Sequence, residues 1–211
     1  MSLVEGGATP YLPARPSLTT LRQAVQDCRG CPLYRSATQA VFGAGSRRAR
    51  LMLVGEQPGN DEDLQGVPFV GPAGRVLDEA LESAGIARSD AYVTNVVKHF
   101  KWEARNNRRL HKKPSAAEVD ACEPWVGQEI KLVKPRVLVC LGATAAQALL
   151  GSSVRVTQQH GQDIATPLAD HALATIHPSS VLRQRTSADR RREMGLLVAD
   201  LRAARRLLGN E

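Results

Sequence analysis

The residues able to do chemistry stand in three short stretches, each directly after an apolar run. Gly55 to Gly59, GEQPG, offers a carboxylate in Glu56 and an amide in Gln57, beside a proline that stiffens the turn. Thr94-Asn95 adds a second amide, and HPSS, His177 to Ser180, adds an imidazole and two hydroxyls. Phe69 in VPFVGPAG supplies a flat ring. Brought together, these are the parts of a nucleobase pocket, where an extruded base stacks on a ring and is read along its edge. An Asn at position 95 donates to one carbonyl and accepts from a ring N–H, which fits uracil and mismatches cytosine.

The elements that must position them follow from the apolar pattern. Leu51 to Val54 is an uninterrupted run ended by Gly55, the mark of a strand buried on both faces. Ala91 to Val97, Arg136 to Leu141 and Ala172 to Ile176 read as three more strands. Helical spacing covers Ser17 to about Gln26, so that Cys28 closes a helix, and then Val76 to Ala84, with Gly85 as its stop. Ser115 and Glu118 make a capping box that opens a helix through Val133. Ala143 to Leu150 and about Ser187 to Leu208 complete the set. Strands alternating with helices predict an α/β/α sandwich around a four-stranded parallel sheet, whose ligand crevice lies beyond the carboxyl ends of the strands. Residues 17–211 are expected to form one domain behind a loose, Gly- and Pro-rich leader over residues 1–16. No G-x-G-x-x-G, G-x-x-x-x-G-K-[ST] or G-x-S-x-G is present, which removes the usual support for dinucleotide, nucleoside-triphosphate and α/β-hydrolase chemistry.

Among 211 residues, 43% are apolar and 23% charged, and no run is long enough to span a bilayer; a cytosolic protein is expected. The formal charge of +7 favours a polyanion such as nucleic acid as partner. Lys98, Lys101, Arg105, Arg108, Arg109, Lys112 and Lys113 crowd a polar stretch with one acid, Glu103, and read as a loop that contacts DNA backbone. Trp102 there either stacks on a base or anchors the loop. Ser179, Ser180, Arg183 and Arg185 add phosphate contacts beyond the HPSS turn, where Leu182 is placed to fill the gap left by a flipped base. Cys28 and Cys31 form a C-x-x-C, a spacing shared by zinc knuckles, redox pairs and cluster sites, while Cys122 and Cys140 have seventeen residues between them. The apolar faces all have the sheet to cover, so a monomer is expected.

GEQPG, VPFVGPAG, VTNVVKHF, the four spaced cysteines and HPSS together resemble the uracil-DNA glycosylase superfamily, in its iron–sulfur branch (family 4-like). Gln57 and the run NRRLHKKPS, Asn107 to Ser115, are similar to the UdgX type, whose loop typically reads KRRIH; Asn107, Leu110 and Asn60 depart from that pattern. The resemblance implies the uracil-DNA glycosylase fold and a structural [4Fe–4S] cluster on Cys28, Cys31, Cys122 and Cys140, with zinc as the lesser alternative. It implies a repair enzyme that excises uracil from single- or double-stranded DNA and releases free uracil. Gln57, Phe69, Asn95 and His177 then bind the base, His177 facing the uracil O2. Its UdgX aspect implies that His111, assisted by Glu56, attacks C1′ and stays attached, so that the protein turns over once. The alternatives are a multiple-turnover glycosylase in which Glu56 positions water, and a non-catalytic cluster-bearing DNA-binding module.

Overall fold

Runs of apolar residues that alternate their faces across a pleated strand require cover on both sides, and the computed structural model, which describes residues 6–106 and 108–209, provides it. The elements are α1 (Leu18–Ala24), β1 (Leu51–Gly55), α2 (Asn60–Gln65), α3 (Pro72–Ala84), β2 (Ala91–Asn95), β3 (Trp102–Arg105), β4 (Arg108–His111), α4 (Ala116–Val133), β5 (Val137–Leu141), α5 (Ala143–Leu150), α6 (Val156–Gln159), β6 (His171–Thr175), α7 (Ser179–Leu182) and α8 (Ser187–Leu208). Four strands form one sheet in the order β2-β1-β5-β6, every neighbour parallel. The expected α/β sandwich is therefore the observed architecture.

Residue parity decides which core each strand side chain enters. Leu51, Leu53, Val93, Val139 and Leu173 face a cluster closed by Leu77 and Leu81 of α3 and Leu197 and Leu201 of α8. Met52, Val54, Tyr92, Leu138 and Cys140 face the other, closed by Leu21 of α1 and Trp125 and Val126 of α4. Among the described residues no helix is long and apolar enough to cross a membrane.

Two expectations change. The leader is not loose where it is described: Ala8 is fully buried, its N–H donates to the Ala121 carbonyl of α4 at 2.8 Å, and Thr9–Tyr11 forms a 3-10 turn. Gly7 and Gly30 serve close packing, since a Cβ on Gly30 would meet the Gly7 backbone at 2.5 Å. Residues 1–5 of that leader lie outside the described residues. The polar stretch after β2 is a hairpin rather than a plain loop, with β3 and β4 antiparallel from Trp102↔His111 to Arg105↔Arg108. Asn106 at its tip takes a left-handed φ of 49°, which Asn tolerates better than most residues. Neither strand buries a face, so hydrophobic alternation gave no sign of them.

Candidate active site

The carboxyl ends of β1, β2 and β6 deliver the GEQPG loop, Asn95 and the HPSS turn to one side of the sheet. There they line a cavity of about 440 Å³ together with Phe69 and His111. Gln57, Phe69, Asn95, His177, Ser179 and Arg183 all reach it, whereas Glu56 is not among the lining residues. The apolar wall comes from Phe69, Pro72, Ala73 and Leu182. Phe69 is held at a φ of 56°, rare for an aromatic residue, and its ring lies 6.0 Å from that of His177. Two glycines permit this. A Cβ on Gly74 would sit 1.8 Å from the Phe69 carbonyl, and one on Gly55 would strike both the Asn95 Oδ1 and the Phe69 ring. The sequence V-G-E and G-P-A-G thus places the ring against the amide that reads the base edge.

Asn95 Oδ1 is buried without a hydrogen-bond partner among the described residues. Leaving an acceptor in that state costs about 1–3 kcal/mol, which a ligand N–H would offset. At His177, Nδ1 accepts from the Ser179 N–H at 3.2 Å, so the ring proton of the neutral form resides on Nε2. Burial, then the Arg183 and His111 charges, push the His177 pKa down to about 4. The ring is therefore a neutral N–H donor at physiological pH. Ser179 Oγ bonds both His177 Nδ1 and Arg183, each at 2.8 Å, and the Ser180 Oγ is buried with no partner among the described residues.

His111 reaches the cavity at the end of β4, and Gln57 attaches it there. The Gln57 Oε1 accepts the Lys101 N–H at 3.0 Å while its Nε2 donates to the Lys112 carbonyl at 2.8 Å, which fixes the amide's orientation. The other amide hydrogen points at His111 Nε2, 2.8 Å away, so that nitrogen is an acceptor and the neutral ring carries its proton on Nδ1. Gln57, expected to read uracil, also clips the two hairpin strands together. Glu56 Oε1 stands 3.7 Å from His111 Nε2, and its Oε2 accepts a hydrogen bond from Thr144 Oγ1. Burial lowers the His111 pKa, Glu56 raises it and Arg183 lowers it again, the net direction being down.

The structure divides the residues expected on the DNA backbone. Lys98 is a correction: it is fully buried, and its Nζ bonds Glu129, Thr94 Oγ1 and the Asn95 carbonyl, the last two at 2.7 and 2.8 Å. A charge so enclosed needs its partners and is closed to phosphate. Arg109 is also committed, donating to Asp63 at 2.7 Å and to Asn60 at 2.9 Å while its guanidinium lies over Phe100 and Trp102. Lys101 pairs with Glu118 at 2.7 Å, and Lys112 with Glu103 at 3.0 Å. Arg105, Arg108 and Lys113 are exposed with no ion pair among the described residues, and Arg183 is exposed beside the cavity. Trp102 anchors the hairpin through Nε1 to the Ser36 carbonyl at 2.8 Å. Asn107 lies outside the described residues.

All four cysteines are buried and free. Burial, and then the neighbouring thiols, raise the pKa of Cys31, which feels Cys28, and of Cys122, which feels Cys31 and Cys28; two N–H groups already face these sulfurs, Trp125 Nε1 to Cys28 at 3.3 Å and the Lys98 N–H to Cys122 at 3.2 Å. Such donors suit thiolates, which accept far better than thiols. Cys140 is different. Its pKa is driven to about 12 by burial alone, with no effect from the other three. Alternation on β5 sends its side chain into the core cluster that also holds Cys28, Cys31 and Cys122. His99, which the sequence reading missed, directly follows Lys98, is buried, feels the Arg29 charge within the C-R-G-C loop and makes no hydrogen bond among the described residues. The signal was present in VVKHF, a histidine at the end of an apolar run. Among the described residues no three of His, Cys, Asp and Glu are grouped to hold a single metal ion. Zinc needs its donors at one point, whereas the ligands of a four-iron cube each meet a different iron and stand further apart. Thiolates and an imidazole are donor types that either group accepts.

Glu62 also went unread. Its carboxylate accepts the Gly59 N–H at 3.0 Å and the Gly71 N–H at 2.8 Å, joining the GEQPG loop to the loop that carries Phe69. A Glu at the third position of α2 was the available sign.

A parallel sheet with helices on both faces, a base-sized cavity at its strand ends and a basic hairpin at the mouth define a class of protein that takes a flat heterocycle out of nucleic acid. Residues 42–202 match the uracil DNA glycosylase superfamily, and the chain belongs to it. It is 36% identical over 190 residues to the type-4 uracil-DNA glycosylase of Thermotoga maritima, covering 90% of this chain and 93% of that one. With the type-4 enzyme of Pyrobaculum aerophilum the identity is 38% over 175 residues, 79% of this chain and 85% of the other. With that of Archaeoglobus fulgidus it is 42% over 131 residues, 62% of each.

Proposed function

We propose that the protein is a uracil-DNA glycosylase of DNA repair that is captured by its own product through His111. What carries the uracil reading is the cavity that combines Phe69, the unpartnered Asn95 Oδ1 and the His177 Nε2–H. The uracil ring stacks on Phe69, and Asn95 accepts its N3–H. As the C1′–N1 bond breaks, its electron pair leaves with uracil, and His177 donates to the O2 where negative charge gathers. One preorganised donor of this kind contributes about 3 kcal/mol.

The sugar is left as an oxocarbenium ion. His111 Nε2 gives its lone pair to C1′, and the resulting imidazolium loses its Nδ1 proton to solvent, while the departed uracil anion gains one. Glu56, 3.7 Å from that nitrogen, offsets the positive charge on the way. Cys28, Cys31, Cys122 and His99 would hold a [4Fe–4S] cluster whose contribution is to staple the N-terminal segment to the core. Arg105, Arg108, Lys112, Lys113 and Arg183 are the phosphate contacts. On incubation with uracil-containing single-stranded DNA, the protein is expected to shift to a DNA-linked band that survives denaturing electrophoresis, and His111→Ser to abolish the band while free uracil is still released.

A second reading, a multiple-turnover enzyme in which Glu56 directs water, has two points in its favour. The relatives above are named type-4 enzymes, and the Gln57 N–H covers the His111 lone pair. An alkali-labile strand with no linked band would select it.

A further inference from the structure

Glu56 stands at the end of β1 and His177 at the end of β6, and the strand between them in the sheet is β5. Ligand crevices of open α/β sheets are built by all the central strand ends, so the turn after β5 belongs to this site although it carries no group with an obvious role. That turn is Gly142-Ala143-Thr144. Gly142 holds a φ of 92°, a region that disfavours any side chain, and a Cβ there would press on His177 Cβ at 3.0 Å; its N–H donates to the Thr175 carbonyl at 2.8 Å. Thr144 follows in the first turn of α5 and points its hydroxyl at Glu56 Oε2. One rigid turn thus braces the base-facing imidazole with its glycine and the carboxylate with its threonine.

The geometry points to Thr144 as the positioning residue that keeps Glu56 aimed at His111. A glutamate has three side-chain torsions, and Glu56 keeps 20% of its side chain exposed, so packing alone does not fix it. With Oε2 tied to Thr144, Oε1 is the oxygen left facing His111 Nε2 at 3.7 Å. The hydroxyl's only hydrogen is engaged in the bond it donates to that carboxylate. This inference rests on the reading of Glu56 as the group that compensates positive charge at the sugar and at His111.

The test compares wild type, Thr144→Val and Thr144→Ser by rapid mixing with excess protein over a uracil-containing single-stranded oligonucleotide. Free uracil and protein-linked strand are quantified separately, and the midpoint of thermal unfolding and the affinity for uracil-free DNA are measured alongside. Val matches the shape of Thr without the donor. The expected result is a rate of linkage lower by about tenfold to a hundredfold, the effect of one hydrogen bond to a charged group, at unchanged melting temperature and DNA affinity, with Ser restoring the rate. A Val variant as fast as wild type overturns the proposal, as does a slow Val variant that melts early and is not rescued by Ser. If wild type itself forms no linkage, the His111 reading fails separately. Thr144 is then judged on uracil release, where the same Val loss and Ser rescue support it and their absence overturns it.

Discussion

At the scale of single residues, the protonation of two histidines decides what the cavity can do. Gln57 sets the His111 tautomer and leaves the lone pair on Nε2, the nitrogen nearest Glu56. Because the His111 pKa lies below the ordinary 6.5, the ring is neutral and nucleophilic through neutral pH and loses its lone pair only in acid. The rate of linkage measured in single turnover is therefore expected to be flat from mildly alkaline pH down to about pH 6.5 and to fall below it. His177, buried against Phe69 and feeling Arg183 and His111, is still neutral where that fall begins, because its own value is about 4. A rate that rises with acidity would contradict both assignments. Glu56, Phe69, Asn95 and His177 were legible in the sequence since each directly follows or flanks an apolar run. Lys98 and Arg109 were misread for a physical reason: sequence shows the charge and not its partner, and Glu129 and Asp63 lie 31 and 46 positions away.

At the scale of elements, the sheet follows from apolar runs, but the hairpin that carries His111 does not, because nothing in it is buried in a core. It is held by particular side chains instead. Arg109 joins it to the fully buried Asp63, Trp102 to the Ser36 carbonyl, and Gln57 to both strands. Removing one partner of a buried pair leaves the other charge stranded, at a cost of about 3–5 kcal/mol. Arg109→Ala is accordingly expected to lower the stability by that order in chemical denaturation, and to slow linkage more than it weakens DNA affinity. Asp63→Asn in the Arg109→Ala background should recover part of the stability, since the stranded carboxylate is then gone. The cysteines give the same lesson on a longer span. Spacing alone pairs Cys122 with Cys140, yet one thiol rides α4 toward the C-R-G-C loop and the other lies within the central strand β5. With a cluster held by Cys28, Cys31, Cys122 and His99, Cys140→Ala should keep the brown colour and broad visible absorbance of the purified protein. Cys122→Ala and His99→Ala should lose them. Absorbance lost in Cys140→Ala and kept in His99→Ala would reinstate the original set.

At the scale of the whole molecule, the excess of positive charge does not act uniformly, because part of it is used inside the fold. Lys98 is enclosed, Arg109 and Lys101 are paired with carboxylates, and the cations left open near the cavity mouth are Arg105, Arg108, Lys113 and Arg183, with Lys112 half committed to Glu103. Counterion release makes the logarithm of affinity fall linearly with the logarithm of salt, by about 0.7 for each phosphate neutralised on a single strand. Affinity for uracil-free single-stranded DNA is thus expected to be steeply salt-dependent. Arg105→Ala combined with Arg108→Ala should reduce the slope by about 1.4, while Lys98→Met, whatever it does to stability, should leave the slope of the folded fraction unchanged. The contrast separates a general attraction of a basic protein from a contact surface built at the hairpin. If the slope falls equally when two exposed arginines on the far end of α8, Arg202 and Arg206, are replaced, the charge works only as a diffuse field and the hairpin has no privileged hold on the strand.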